Sequence, residues 1–152
     1  MPFTNKSPQL AGYENAITPG GPELVVSRCG QQLVAADHVA GTVGVIGLLP
    51  AGTVPVHLYV RAPAALGAGF TASIGIANAA GTDFSTAAED GGAAWVVDNN
   101  TGAAGGYVQL TPAAFAKVAP KDYDRRVLLK ITGVGTGTPA GLLAVDLVYA
   151  NA

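Results

Sequence analysis

The two histidines, His38 and His57, are the side chains best suited to catalysis or metal binding near neutral pH. Asp37 and His38 are neighbours in sequence and could form an acid–base pair only if their side chains were in contact. Successive side chains of an extended segment point to opposite sides. We therefore expect no dyad there. His57 falls among the outward residues of an alternating run, which favours a solvated or interface histidine. Neither histidine is assigned a catalytic role.

A second candidate group is acidic. Asp83, Glu89 and Asp90 fall in one predicted loop and Asp98-Asn99-Asn100 in another, and such oxygen atoms are the ligands that calcium prefers. Their spacing matches no EF-hand loop. Solvated polar loops are the expected structure, and we predict no metal site.

The nucleophile candidates are Ser27 and Cys29, which have no G-x-S-x-G elbow or local base beside them. Cys29 is expected to be a small buried apolar residue. The glycine-rich segments lack the order of a phosphate-binding loop. The sequence thus predicts no catalytic, cofactor-binding or metal-binding residue, and a protein that is not an enzyme.

The densest run of charge is KDYDRR, at residues 121–126. It suits a solvated connection that precedes a strand. It also suits a salt-bridging patch between subunits. Both interpretations stay open at the level of sequence.

Charge is scarce in the rest of the chain. Only 12% of the 152 residues are Asp, Glu, Lys or Arg, against about 25% in soluble domains generally. We expect a protein with so few surface charges to be in stable contact with other protein subunits. The formal net charge is −2 and the basic residues are scattered, so no direct binding to nucleic acid is expected.

Two uncharged stretches, 39–60 and 62–82, are long enough to suggest membrane spans, but glycines and prolines interrupt both. We therefore expect no membrane insertion. The first residues lack a basic and an apolar segment, so no secretory signal is expected and synthesis in the cytosol is the simpler interpretation.

Residues 1–23 are polar and rich in proline and glycine, which predicts an extended N-terminal arm ahead of a single β-sandwich domain at residues 24–152. Such an arm either clamps a neighbouring subunit or folds back along its own domain. The sequence does not decide between them.

Short apolar runs separated by turn residues predict an all-β chain, a jelly-roll-like antiparallel β-sandwich of about eight strands. The expected strands are 24–28, 31–35, 42–48, 54–61, 70–76, 95–97, 107–110, 125–132 and 143–149. In the fourth, Val54, Val56, Leu58 and Val60 are expected on one face. The last two strands are expected to pair antiparallel, residues 98–106 to form a flexible loop, and residues 111–117 to form a brief helix capped by Thr111.

The stretch LLPAGTVPVHLYVRAPAALGAGFTASIGIANAAGTDF and the ending GLLAVDLVYANA resemble small β-sandwich capsid decoration, or cement, proteins of tailed bacteriophages. The resemblance covers roughly residues 42–149. It lies in the spacing of apolar runs and turn residues and in the amino-acid composition. It implies a virion protein on the capsid exterior that binds the major capsid protein, often as a homotrimer, and stabilises contacts between capsid subunits. It brings no catalytic residue and no cofactor.

Two other functions remain possible at this stage. One is a phage tail, baseplate or fibre module that contacts a receptor or glycan, with aromatic contacts from Tyr59, Trp95, Tyr107 and Tyr123. The other is a secreted or surface carbohydrate-binding sandwich, which the low charge and missing signal disfavour.

Overall fold

The computed structural model describes residues 1–7 and 23–152, and its second range contains eight strands. The strands are β1 Leu24–Leu33, β2 Val43–Leu49, β3 Thr53–Ala62, β4 Thr71–Ile76, β5 Val96–Asn99, β6 Gly106–Leu110, β7 Arg125–Gly133 and β8 Gly141–Asn151. One short helix, α1, spans Thr101–Ala104. Three 3₁₀ turns lie at Ala35–Asp37, Ala88–Asp90 and Ala113–Lys117. In the described ranges, no helix has the length and apolar content needed to cross a membrane.

The strands form two four-stranded sheets. The first sheet has the order β1-β8-β3-β6 and the second the order β2-β7-β4-β5, and neighbouring strands are antiparallel throughout. Two antiparallel sheets of four strands with these crossovers make a jelly roll. The predicted fold class is confirmed.

The core lies between the sheets and is built from alternate residues of both. Leu58, Leu147 and Tyr149 of the first sheet are fully buried, as are Leu129 and Ile131 of the second. Burial of branched and aromatic side chains on one face of each strand is the alternation that the sequence shows.

The predicted break in the first strand is wrong. β1 runs without interruption through Cys29 and Gly30, and all ten of its residues pair with β8. A glycine weakens a strand only locally, and a full-length antiparallel partner holds this one in register.

Half of the predicted alternation in β3 is also wrong. A β-bulge between Pro55 and His57 leaves Val56 without a partner on β8. The extra residue reverses the facing of the strand, as bulges do. Leu58 and Val60 face the core as predicted, but Val54 and Val56 are only half-buried.

The predicted pairing of the last two strands is wrong, because β7 and β8 lie in different sheets. Residues 134–140 carry the chain from one sheet to the other. This connection is held by the loop at residues 66–68, where the Thr136 amide donates to the Ala68 carbonyl at 3.0 Å.

The segment between β4 and β7 differs from expectation in two places. Trp95 precedes β5 and is 5% exposed, whereas Val97 within β5 is 67% exposed, so the two do not share a buried face. Residues 98–106 contain the end of β5 and α1 instead of a continuous loop. The brief helix after β6 is a 3₁₀ turn that ends before Pro120, as predicted, but Pro112 and not Thr111 occupies its N-cap.

Candidate interaction surface

The acidic loop after β4 is tied to the start of β7 by a buried ion pair. Arg125 is 3% exposed and donates to one carboxylate oxygen of Asp90 at 3.1 Å. The same guanidinium donates to the backbone carbonyls of Glu89 and Thr53, both at 3.2 Å. The other carboxylate oxygen of Asp90 accepts from the Ser85 hydroxyl at 2.6 Å. Charge-assisted bonds of this kind fix the loop on the sandwich.

Two further ion pairs lie nearer the surface. The Lys121 ammonium donates to the Glu89 carboxylate at 2.9 Å, and the Lys130 ammonium donates to Asp83 at 3.0 Å. A hydrogen bond from its own backbone amide and the one from Lys121 hold the pKa of Glu89 below its ordinary value, and the Glu89 carboxylate raises the pKa of Lys121. The hydrogen bond from Lys130 lowers the pKa of Asp83.

These pairs bear on the calcium site considered above and on the two interpretations of residues 121–126. Asp83 binds a different cation from Glu89 and Asp90, so the three acidic residues do not form one site. Among the residues at 1–7 and 23–152, no group of three His, Cys, Asp or Glu side chains is placed to hold a metal ion. Residues 121–124 form a largely exposed connection before β7, as one of the two interpretations predicts, but Arg125, which begins the strand, is buried.

The two members of the Asp37-His38 pair make separate contacts, as the sequence predicts. The His38 Nε2 atom donates to the Pro139 carbonyl at 2.9 Å, and the imidazole meets Phe70 edge-on at 5.9 Å between centroids. Asp37 is fully buried and accepts from the amide and hydroxyl of Thr4. Its other oxygen accepts from the Val34 amide. Cys29 is 1% exposed, which confirms the prediction that it is buried.

Residues 1–7 lie along their own domain. Pro2 pairs with Val43 at the edge strand β2, whose Val43 amide donates to the Met1 carbonyl at 2.8 Å. The Gln31 side chain of β1 donates to the Asn5 carbonyl at 2.7 Å. The segment therefore bridges the edges of the two sheets and covers the free edge of β2. The rest of the predicted arm, residues 8–22, lies outside the described part of the chain.

Residues 78–94 cover the outer face of β4 and β7 in the second sheet, whereas Val97 of β5 stays 67% exposed. The Phe84 ring packs so closely on Gly75 of β4 that an added Cβ would lie 2.9 Å from it. The Arg126 side chain donates to the backbone carbonyls of Asn78 and Ala79. As a result Leu128, which points outward from β7, is fully buried.

On the outer face of the first sheet, large apolar side chains remain exposed at β1 and β6. Leu24 and Val26 of β1 are 58% and 53% exposed, and Tyr107 of β6 is 60% exposed. We call this surface the open face. By register and alternation, the open face comprises Leu24, Val26, Arg28, Gly30, Gln32, Leu142, Ala144, Asp146, Val148, Ala150, Val54, His57, Tyr59, Arg61, Tyr107 and Gln109.

Three ring side chains, His57, Tyr59 and Tyr107, cluster on the part of the open face formed by β3 and β6. We call them the aromatic group. The rings of Tyr59 and Tyr107 are stacked with centroids 5.0 Å apart and planes 5° apart, and His57 meets Tyr59 edge-on at 5.4 Å. Two of the four aromatic residues singled out from the sequence thus come together. Trp95 packs edge-on against Phe115 in the core instead, and Tyr123 lies on the connection before β7.

A buried carboxylate lies beside the aromatic group. Asp146 of β8 is 6% exposed, and its Oδ2 atom lies 3.7 Å from the Arg61 Nε atom. Its Oδ1 atom is buried and accepts no hydrogen bond. A buried carboxylate oxygen without a donor is costly, so this position favours an additional donor or cation when the face is covered.

The open face was not identified from the sequence, although a signal for it exists. β1 and β8 present apolar residues on both of their faces, and apolar residues on both faces of a sheet indicate that both are covered by something. For the second sheet the covering segment belongs to the same chain. On the first sheet the outward apolar side chains of β1, Leu24 and Val26, are more than half exposed, whereas Ala144 and Val148 of β8 on the same face are buried.

No protein-family model matches the sequence. No curated protein matches it either.

Solved structures do match. A chain in the structure "Capsid of Ralstonia phage GP4" superposes with a TM-score of 0.78 at 23% sequence identity, over 97% of this chain and 97% of that chain. A chain in the structure "Cyanophage Pam1 capsid asymmetric unit" superposes with a TM-score of 0.55 at 14% identity, over 93% of this chain and 96% of that one. At these identities the shared feature is the fold. The resemblance noted in the sequence is confirmed at that level: this chain has the jelly-roll fold of chains found in two phage capsid structures.

Proposed function

We propose that this chain is a structural protein of a phage virion. The observation that carries the proposal is the superposition on the Ralstonia phage GP4 capsid chain over 97% of both chains. A match of that extent relates one whole chain to another, not a module common to many proteins. Because a fold hosts many functions, the proposal also needs support from the surface itself.

Within the virion, the proposed role is that of a decoration protein on the capsid exterior that stabilises contacts between major capsid subunits. The low charge of the chain and the apolar open face are the supporting features. Both suit a protein that stays in permanent contact with other protein. Repetition over a lattice lets modest single contacts act together, so each copy needs only a small interface. Association of the copies into a homotrimer is part of the same proposal.

A structural role, not a catalytic one, fits the way in which the candidate chemical groups are used. Asp37, Asp90 and Arg125 are engaged in buried hydrogen bonds that hold loops and the N-terminal segment in place. The His38 imidazole contacts a backbone carbonyl and a phenyl ring. These contacts stabilise the sandwich, and they do not converge on a shared reaction centre.

The first test is the copy number and radial position of the chain in purified particles of the phage that encodes it. Quantitative mass spectrometry gives the copy number, and cryo-electron microscopy gives the radial position. We expect hundreds of copies on the outside of the shell. A few copies at one vertex would favour the tail, baseplate or fibre alternative, and absence from particles would overturn the virion proposal.

The second test addresses stabilisation. Capsids prepared without the chain are heated with and without purified protein, and DNA release is followed by dye fluorescence. We expect the release temperature to rise on addition of the protein and to saturate at a fixed ratio of chain to capsid subunit. Binding without any rise would leave a virion component that does not act as cement.

A further inference from the structure

We infer that β6 is a contact strand, through which the chain pairs antiparallel with β6 of a second copy about a two-fold axis at Val108. The contact goes beyond the proposed function, because it does not require a capsid. In the homotrimer proposed above it would be a second kind of contact, one that joins neighbouring trimers.

The first argument concerns the edges of the two sheets. Each sheet has two edge strands, and in the described part of the chain three of the four are protected. Residues 1–7 pair with β2, and the Asn5 side-chain amide donates to the Gln32 carbonyl of β1 at 3.5 Å. β5 is four residues long and contains a charged residue, Asp98, in the left-handed region with a φ of 50°. Covering segments, short length, charge and irregular backbone are the usual means by which proteins keep edge strands from pairing.

β6 lacks this protection. Its sequence, GYVQL, contains no charge and no proline. Its register with β3 is unbroken, from Leu110 opposite Leu58 to Gly106 opposite Ala62. Within residues 1–7 and 23–152, the backbone of β6 forms no hydrogen bond with any segment other than β3. The second edge of the strand therefore presents unpaired amides and carbonyls, which are a template for another strand.

The side chains at this edge are also incompletely covered. Val108 and Leu110, which face the core, are only partly buried against it. An apolar groove of about 190 Å³ lies beside Leu110 and is lined also by Trp95 and Pro112. On the outer face, Tyr107 is 60% exposed. A strand added at this edge removes apolar surface from water on both faces of the sheet.

The pattern of β6 itself identifies the occupant. Two copies of the strand align all five residues when Val108 lies opposite its own counterpart. In that register Leu110 lies opposite Gly106 of the other copy, which has no side chain to obstruct it. Tyr107 lies opposite Gln109, and neither carries a charge. The strand is therefore complementary to a second copy of itself.

Charge on the neighbouring strands does not oppose this pairing. Arg61 lies opposite Tyr107 on β3, and its Nε atom is 3.7 Å from the Asp146 carboxylate on β8. The positive charge nearest to β6 thus has a partner within the same sheet. An edge without free charge offers no counter-charge to a charged segment, whereas an uncharged strand such as β6 meets no repulsion there.

The contact is small. Two strands of five residues form about four to six main-chain hydrogen bonds. Stable complexes bury about 1,200 Å² or more, and so short a contact is expected to fall below that area. We therefore expect weak pairing between free chains and stronger pairing where many copies are held close together.

Disulfide cross-linking detects weak pairing. In the proposed register position 108 lies opposite its own counterpart, with about 4.5–5.5 Å between the Cα atoms, and a disulfide can bridge that separation. Purified Val108→Cys protein should form covalent dimers when oxidised at high concentration. Val97→Cys is the matched control, because Val97 lies on the other edge strand and is 67% exposed. It should form dimers much more slowly. The native Cys29 is 1% exposed and does not compete.

A mixture of two variants tests the register. Tyr107→Cys and Gln109→Cys place cysteines that face each other across the two-fold axis but do not face their own counterparts. The mixed chains should form the heterodimer in excess of its statistical share. A statistical distribution of products would overturn the inference. So would a Val108→Cys protein that forms dimers no faster than the Val97→Cys control.

Charge placed at the same positions provides an independent test, in the Val108→Cys background. Tyr107→Glu with Gln109→Lys sets opposite charges across the axis, and Tyr107→Glu with Gln109→Glu sets like charges there. We expect the like-charge variant to form covalent dimers at least about tenfold more slowly, with a difference that shrinks as salt is added. Equal rates would contradict the pairing. Circular dichroism verifies that each variant folds.

These outcomes are separate from those that test the proposed function, because the cross-linking uses the purified free chain. A chain that binds capsids but does not cross-link at position 108 retains the function and loses the pairing. A chain that cross-links but does not bind capsids does the reverse. On particles, Val108→Cys protein labelled with a photoreactive maleimide tests the other occupant. A cross-link to a major capsid subunit in place of a second copy would also overturn the inference.

Discussion

Leu128 and Leu129 are successive residues of one strand that point to opposite faces of the second sheet, and both are fully buried. Leu129 belongs to the core between the sheets. Leu128 lies opposite Gly75 and Val45 on the outer face, below the loop that carries Phe84. The sandwich therefore has a second, smaller apolar layer outside its second sheet, made by its own chain.

Leu128→Ala tests that layer. If residues 78–94 pack on the sheet as tightly as the core packs between the sheets, the substitution should lower the free energy of unfolding by about 2–5 kcal/mol, as for buried leucines generally. Urea denaturation gives the value, and Leu129→Ala provides the reference for the true core. A loss below about 1 kcal/mol for Leu128→Ala would mean that the loop opens to solvent.

Arg125→Met removes the cation that Asp90 and two backbone carbonyls share. A buried carboxylate left without its partner is strongly destabilising, so we expect a loss of about 3–5 kcal/mol in the free energy of unfolding. Lys121→Met is the control, since its pair with Glu89 is partly exposed to solvent and should contribute much less to stability. Equal losses in the two variants would contradict the assigned role of Arg125.

Gly44→Ala should detach the N-terminal segment. A Cβ at this position would lie 2.5 Å from the Phe3 ring, so the ring has to leave its place. We expect faster hydrogen exchange at the Val43 amide, which donates to Met1 in the native chain. In a Phe3→Ala background the same glycine substitution should have no further effect. An effect of equal size in both backgrounds would show that the clash lies elsewhere.

The ion pair of Asp83 with Lys130 should contribute stability that depends on pH. The pKa of Asp83 is lowered in the folded chain by the hydrogen bond from Lys130. A carboxylate with a depressed folded pKa stabilises above its unfolded pKa, and this contribution disappears as pH falls through the folded value. The unmodified protein should therefore exceed the Asp83→Asn variant by less than about 1 kcal/mol near pH 6, because the pair is exposed.

That difference should shrink as the pH falls below the ordinary pKa of an aspartate and vanish once the pH is below the lowered pKa of the folded chain. Chemical denaturation at a series of pH values measures it. A difference that persists at the lowest pH would assign the stabilisation to the aspartate's hydrogen bond with Phe84 or to packing.

The sequence predicts the strands well where a single alternation runs through them, as in β4 and β8. It predicts facing poorly in β3, because one inserted residue, Val56, reverses the alternation, and Pro55 is the residue type that could have marked the bulge. It also fails to predict that β7 and β8 separate into two sheets. Neighbours in sequence usually pair, and here the connection at 134–140 is instead held by the loop at 66–68, a contact distant in sequence.

The same limit applies to the candidate surface. Residue types singled out Tyr59 and Tyr107, but their stacking depends on β6 pairing with β3 rather than with β5, its predecessor in the chain. Asp83, Glu89 and Asp90 are close in sequence and were weighed together, yet their partners on β7 and before it separate them. The spacing of acidic residues along a loop does not indicate which lysine or arginine side chains the fold places beside them.

The order β1-β8-β3-β6 also has a consequence for the time at which the chain can fold. The first strand pairs along its whole length with the last, and the last also separates the first from β3. During synthesis β1 therefore has no permanent partner until β8 has left the ribosome. Contacts so distant in sequence make folding slow and leave strand edges exposed meanwhile. A nascent chain that stops before β8 should remain bound to chaperones, because no partial version of the first sheet can close around β1.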